Sequence, residues 1–295
     1  VPTNEQRRAA AKRKLERQLE RRAAQQRKRR IYTIVGSAVG AVVVIGAIVA
    51  TYVVTNHDSG STTASAATTT TSAAAPTSTA LSAAGQLPAF VAPANLGANC
   101  QYPPSADKAS KPTKPPRTGK VPTDPAQVSV SMTTNQGNIG LQLDNAKAPC
   151  TVNSFASLAQ QGFFNDTPCH RLTTSDELSV LQCGDPTGKG TGGPGYQFDN
   201  EYPTNQFQPD DPKLAKPVLY PRGTLAMANA GAGTNGSQFF LVYKDSQLPP
   251  NYTVFGTIDQ TGLATLDKIA AAGTADGSQD GKPKNDVQVK TIQLD

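Results

Sequence analysis

Along this chain apolar residues occur first as one unbroken run, then hardly at all, and finally in two regular periods. The unbroken run covers residues 31–54, rich in Val, Ile, Ala and Gly, with Tyr32 and Tyr52 as its only ionisable side chains. At a rise of about 1.5 Å per residue it is long enough to cross a hydrocarbon core of about 30 Å. Its two tyrosines lie near its ends, where amphipathic rings suit the headgroup level. A cleaved secretory signal would have a shorter apolar region, and a small-residue cleavage pattern in place of Thr55, Asn56, His57 and Asp58. The pattern therefore predicts a retained transmembrane helix.

From residue 59 to about 85 the chain is almost entirely Ser, Thr, Ala and Gly, with no charge. Such a stretch cannot bury enough apolar surface to offset its ordering entropy, so it is expected to be a disordered tether. Residues 103–125 are rich in Pro and Lys and are expected to continue the linker as an extended, semi-rigid piece outside the core. The linker as a whole is assigned to residues 55–126.

Regular patterning begins at Gln127. Val128, Val130 and Met132 alternate with polar residues, a turn follows at Asn135-Gln136-Gly137-Asn138, and Ile139, Leu141 and Leu143 alternate again. This is a β-hairpin with one buried face. Val152, Phe155, Leu158 and Ala159 then fall on one helical face, opened near Pro149 and closed by Gly162. A second helix is expected over 263–272, with Gly273 as its stop. In the last strand, Val287 and Val289 are out of phase with Ile292 and Leu294, which predicts a bulge. Two helices and many short strands imply a mainly β domain over 127–295, a closed or nearly closed antiparallel barrel with helices covering its ends.

Charge sharpens the division. The formal net charge of +6 would suggest nucleic acid, but residues 1–30 hold twelve Lys or Arg against three Glu, and the rest of the chain is net acidic. The excess is therefore a topology signal. By the positive-inside rule it places the N-terminus in the cytoplasm and everything after Val54 across the cell membrane. This helix-prone segment would also suit contact with anionic lipid, and no nucleic-acid partner is expected.

Cys100, Cys150, Cys169 and Cys183 all follow the span, where disulfides persist. Four cysteines allow three pairings, among which the sequence does not choose; if Cys100 pairs with a cysteine of the domain, the Pro-rich segment is stapled to the domain and the free tether ends near residue 99. Their spacing offers no close pair of metal ligands, so no metal site is expected.

The most informative segment runs from Met227 to Phe240 and reads MANAGAGTNGSQFF. It resembles the ANAGxxTNGSQFF signature of the cyclophilin family at every fixed position. The resemblance continues through His170-Arg171-Leu172, Leu181-Gln182-Cys183-Gly184-Asp185, Gly190-Thr191-Gly192-Gly193 and Val254-Phe255-Gly256. It covers roughly residues 127–295, and the anchored arrangement is similar to actinobacterial, mycobacterial-like members. It implies a closed eight-stranded antiparallel β-barrel capped by two α-helices, and peptidyl-prolyl cis-trans isomerase activity without a cofactor, on proline-containing polypeptides of the cell envelope or secreted from the cell. The alternative it leaves is a proline-peptide binding module or holdase with little turnover.

By the same resemblance Arg171 is the catalytic arginine. Gln182 and the backbone of Asn229 hold the substrate main chain, Ala228, Gly190 and Gln238 line the groove, and Val180, Phe240, Leu248 and Tyr252 surround the proline ring. His170, Cys169, Cys183 and Asp185 correspond to framework positions. Three departures stand out. The chain between Arg171 and Gln182 is three residues longer than usual, which puts Ser179 where an aromatic wall residue is common and leaves Leu178 to replace it. Gln247 occupies the position of the family's tryptophan, in a chain that has no Trp, so weakened cyclosporin binding is implied. Tyr252 stands where a histidine is common.

Overall fold

The computed structural model describes residues 85–295. The expected basic segment, the span at 31–54 and the tether up to residue 84 lie outside the described residues. Among the described residues no helix is long and apolar enough to cross a membrane.

The alternating segments form the expected hairpin, with strand β2 (Gln127–Thr134) paired to β3 (Gly137–Asp144). The register runs from Gln127 opposite Asp144 to Thr134 opposite Gly137. Val130, Met132, Ile139, Leu141 and Leu143 point inward and are buried, as the period of two requires. Helix α1 (Pro149–Gln160) buries Val152, Phe155, Leu158 and Ala159. Its own N-cap, Ala148, supplies no side-chain acceptor. The buried carboxylate of Glu201 serves instead, accepting from the Cys150 N–H (3.0 Å), the Thr151 N–H (2.8 Å) and the Thr151 hydroxyl (2.7 Å). An acidic group at a helix N-terminus satisfies otherwise orphaned donors and complements the dipole.

The second helix, α2 (Gln260–Ala272), starts three residues earlier than its apolar stripe because Asp259 caps it, accepting from the Gly262 N–H at 2.6 Å. It packs on β3, where the Thr265 hydroxyl donates to the Asn138 carbonyl at 3.0 Å. Inside the sheet the ring of Phe155 meets those of Phe164, Phe239 and Phe255 at centroid distances of 5.0 to 5.3 Å. This aromatic cluster is the centre of the larger hydrophobic core.

The other strands are β4 (Thr167–Pro168), β5 (Arg171–Thr173), β6 (Val180–Cys183), β8 (Thr224–Met227), β9 (Phe239–Val242), β11 (Val254–Ile258), β12 (Asp280–Gly281) and β13 (Gln288–Leu294). With β2 and β3 they make one sheet in the order β12-β5-β6-β9-β8-β11-β3-β2-β13-β4. The predicted bulge in the last strand is present as a register shift between Val289 and Thr291, and a second shift lies between Val254 and Gly256.

The expected closed ring of eight strands is not what forms. Eight strands of three or more residues lie side by side, but the ladder ends at β12 on one edge and β4 on the other. A single stretch of chain, 167–173, runs from the edge strand β4, bonded to β13, to β5, the neighbour of the other edge strand, which bonds to β6 and β12. Pro168 has no N–H to donate, and the Cys169 N–H goes to the Val287 carbonyl at 2.8 Å. The stretch therefore changes partners part-way along, and the sheet curls into a half-barrel.

A smaller sheet, β1-β7-β10, consists of β1 (Gly85–Gln86), β7 (Val218–Tyr220) and β10 (Ser246–Leu248). Its first strand belongs to residues 85–126, which were expected to remain outside the core. They do not. Tyr102 and Val121 are 5% and 3% exposed. Cys100 is disulfide-bonded to Cys150 on α1, and Cys169 is bonded to Cys183 on β6. The Tyr102 hydroxyl donates to the Cys150 carbonyl at 2.7 Å and accepts from the Asn153 amide at 2.8 Å. A composition poor in apolar residues predicted a spacer, but buried Tyr102 and Val121, the Cys100–Cys150 disulfide and backbone hydrogen bonds to residues 193–197 hold this arm on the domain.

Candidate active site

Strands β6, β8 and β9 bury both of their faces. Leu181, Cys183, Leu225, Met227, Phe239 and Leu241 enter the main core. On the opposite face Val180, Ala226, Phe240 and Val242 form a second apolar cluster with Val218 and Tyr220 from β7. Ala228, Leu248, Tyr252 and Leu178 pack against this cluster and are only partly buried. The ring of Tyr252 meets that of Phe240 edge-on at 5.8 Å. The sequence-derived apolar wall, Val180, Phe240, Leu248 and Tyr252, is thus brought together in one place.

Ser179 is not part of that wall. Its N–H donates to the Ser246 hydroxyl at 2.9 Å and its own hydroxyl donates to the Ser175 carbonyl at 2.8 Å, so it fixes the longer loop. Leu178 packs on the cluster from the same loop. Gln247 lies on β10, with its N–H donating to the Glu177 carbonyl at 2.7 Å.

Beside the apolar wall runs a chain of polar contacts. Arg171 on β5 sits opposite Gln182 on β6, which in turn sits opposite Phe240 on β9. The guanidinium makes two parallel bonds to Asp280 on β12, Nε to Oδ1 at 2.7 Å and Nη2 to Oδ2 at 2.8 Å. Its Nη1 donates to Gln182 Oε1 at 3.1 Å. Gln182 Nε2 donates to Gln238 Oε1 at 2.9 Å, and Gln238 Nε2 donates to the Gly192 carbonyl at 3.0 Å. Hydrogen bonding to Asp280 raises the Arg171 pKa against the opposing effect of burial, and the same bonds lower that of Asp280. Three of the five guanidinium N–H donors are used within the chain, leaving two for a ligand.

Asn229 lies at the other side of the groove. Its side-chain amide donates to the Asn251 carbonyl at 2.9 Å and its Oδ1 accepts from the Gly231 N–H at 3.1 Å, so the side chain shapes the loop. Gln182, Gly190, Ala228, Asn229 and Gln238 line a common cleft of about 410 Å³, together with Ser105, Asp107 and Lys108 of the arm.

The loop that carries Gly190 is organised around Asp185, which is fully buried. Its carboxylate accepts from the N–H groups of Thr187, Gly190 and Thr191 at 2.7 to 3.0 Å and from the Thr187 hydroxyl at 2.8 Å. Burial by itself would raise this pKa, but the hydrogen bonds, mainly from backbone N–H groups, reverse the effect and hold it below the ordinary value. Nearby, burial lowers the pKa of His170. Among the described residues neither of its ring nitrogens has a hydrogen-bond partner.

Asp280 was missed in the sequence. It lies 109 residues from Arg171 in a Ser/Gly/Asp-rich turn region, and only the pairing of β12 with β5 brings the two together. Among the described residues no cluster of side chains could hold a metal ion.

The fold is a curled antiparallel half-barrel whose groove has one apolar wall and, beside it, a guanidinium fixed by Asp280 and Gln182. The family model of cyclophilin type peptidyl-prolyl cis-trans isomerase/CLD matches residues 129–294. The chain belongs to this family, and its activity is peptidyl-prolyl cis-trans isomerisation. It is 72% identical over 212 residues to the probable peptidyl-prolyl cis-trans isomerase B of Mycobacterium tuberculosis, covering 72% of this chain and 69% of that one. The corresponding protein of Mycobacterium leprae is 72% identical over 209 residues, covering 71% of each chain. A peptidyl-prolyl cis-trans isomerase of Helicobacter pylori is 42% identical over 138 residues, covering 46% of this chain and 76% of its own.

Asp185 has a testable pH signature. Because its folded pKa is depressed, its contribution to stability is full above its unfolded value of about 4 and is lost as pH falls through the lower folded value. Replacing it by Asn in Asp185→Asn leaves buried N–H donors unmatched and should cost about 1–3 kcal/mol at pH 7. Urea denaturation should show that gap between the two proteins narrowing as the pH is taken down to about 3. An equal gap at both pH values would mean that the ionised carboxylate is not what holds the loop.

Proposed function

We propose that Arg171 is the electrostatic catalyst of X-Pro rotation, acting on proline-containing segments of secreted or envelope proteins. Rotation about the peptide C–N bond faces a barrier of about 18–20 kcal/mol because planarity preserves amide resonance. No covalent step is required, so a catalyst need only bind the twisted amide better than either planar isomer.

The observation that carries the reading is the position of the guanidinium. It is held by Asp280 and Gln182 directly beside the strand positions that carry Val180 and Phe240. As the amide twists, its nitrogen lone pair localises, and a preset N–H donor stabilises it with no proton transfer and little reorganisation. An arginine suits this task because it is always charged and donates from a planar fork. Phe240, Val180, Leu248 and Tyr252 receive the proline ring, with Leu178 closing the side that Ser179 leaves open. Gln182, Gln238 and the backbone at Asn229 hold the substrate main chain.

This account is tested on a short Ala-Pro peptide by NMR exchange, comparing the wild type with Arg171→Ala. The variant should retain peptide binding and lose about 10²- to 10³-fold in kcat/KM, the usual effect of removing one preorganised donor. Binding without accelerated exchange in the wild type would point instead to a holdase, and undiminished exchange in the variant would remove Arg171 from the mechanism.

The same proposal places the domain outside the cell membrane, anchored through residues 31–54, with residues 1–30 cytoplasmic. What supports this is the basic block that abuts the apolar run and the presence of two disulfides, which persist in oxidising compartments. In cells making the full chain, the isomerase domain should resist alkaline extraction from membranes and be cut by protease added from outside. A domain protected in intact cells but digested after lysis would contradict this topology.

A further inference from the structure

Part of the lining of the cleft that holds Gln182 and Asn229 lies outside the segment that matches the family: Ser105, Asp107 and Lys108 come from the arm, which precedes residue 129. We infer that this arm is part of the substrate groove, and that Asp107 and Lys108 select substrates by the charge of the residues flanking the X-Pro bond. The inference rests on the reading of this groove as the substrate site.

The arm is built into place. The Pro103 carbonyl accepts from the Gln197 N–H at 2.9 Å, the Ser105 N–H donates to the Gly195 carbonyl at 3.0 Å, and the Ser110 N–H donates to the Gly193 carbonyl at 2.9 Å. The Ser110 hydroxyl accepts from the Gly193 N–H at 3.0 Å. Upstream, Tyr102 and the Cys100–Cys150 disulfide fasten it to α1. The groove loop is shaped to admit it. A Cβ on Gly195, whose φ is +80°, would lie 2.9 Å from the Ala109 nitrogen. One on Gly192 would lie 2.6 Å from the Ser110 hydroxyl and 2.0 Å from Asp185. These glycines therefore meet a physical need set by the arm as well as by the loop's own turns.

The chemistry is equally localised. Among the residues that line the cleft, Asp107 and Lys108 carry the only charges, and both are exposed. Neither takes part in an ion pair among the described residues. The remaining lining is glycine, alanine, Pro194, Tyr196 and neutral polar residues, none of them charged. A charged side chain entering this cleft thus meets its complement only on the arm: Lys108 for an acidic residue, Asp107 for a basic one. The similarity to the M. tuberculosis protein extends over 212 residues, against the 166 of the family match, and only one residue follows position 294. It must therefore include the arm.

The test uses residues 85–295 and the full chain, with Ala-Pro peptides carrying Glu, Lys or Ala at the positions flanking the X-Pro bond. Both kcat/KM and peptide affinity are measured, so that the selectivity ratio is defined even if turnover is lost. Lys108→Ala should lower the preference for Glu-flanked over Ala-flanked peptide by about two- to five-fold, and Asp107→Ala should do the same for the Lys-flanked peptide, as expected of exposed charge contacts. Both preferences should collapse at about 1 M salt. Ratios that do not move in either variant, or peptides all weakened alike, would overturn the inference. Failure of the wild type to turn over even the Ala-flanked peptide would count against the reading of the site and not against the selectivity of the arm.

Discussion

Side chains alternate across a β-strand, and in this domain that alternation must serve two interiors at once. β6, β8 and β9 send one set of residues into the aromatic core around Phe155 and the other set into the cluster around Phe240. A shift of one residue in any of these strands would exchange the two sets. The register that places Leu181 opposite Leu241 in the core is therefore the same register that places Gln182 opposite Phe240 in the groove. Core packing therefore fixes which residues face the groove.

On that frame, the one strongly polar element is stabilised by partners and not by solvent alone. An arginine beside an apolar wall is costly to desolvate unless it is paired, and Asp280 pairs it in the bidentate geometry that planar guanidinium favours. Gln182 and Gln238 extend the ordered contacts to the Gly192 carbonyl, so the strand that carries Arg171 and the groove loop are linked by hydrogen bonds. The loop in turn closes around the buried Asp185 and lies against the arm. Substrate positioning thus depends on two carboxylates that never touch substrate in this account, Asp280 and Asp185.

Much of this was legible in the residues. The hairpin at 127–144, both helices and the late bulge followed from periodicity and capping, because each is a local pattern. The residues of the groove followed from the signature at 227–240 and the motifs around it. What escaped has common physical reasons. β8 and β9 are buried on both faces, so alternation gives no signal there. Asp280 is remote in sequence from its partner, and pairing across a sheet is not a local property. Tyr102 and Val121 are single anchors in a Pro- and Lys-rich stretch, with no period to mark them, and the Cys100–Cys150 pairing that fastens the arm was one of three combinations. The half-barrel differs from a closed ring in how residues 167–173 divide their pairing between β13 and β6, a detail of hydrogen-bond partners that a residue pattern does not carry.

The central claim is that the fork geometry of Arg171, and not merely its positive charge, meets the twisted amide. Arg171→Lys isolates it, since an ammonium keeps the charge but cannot bond Asp280 in the bidentate mode and also reach Gln182 and the prolyl nitrogen. Measured by NMR exchange on an Ala-Pro peptide, the account predicts that lysine leaves the enzyme nearly as impaired as alanine does, with peptide affinity largely kept. Recovery of most of the wild-type rate by lysine would show that charge alone suffices, and would contradict the account.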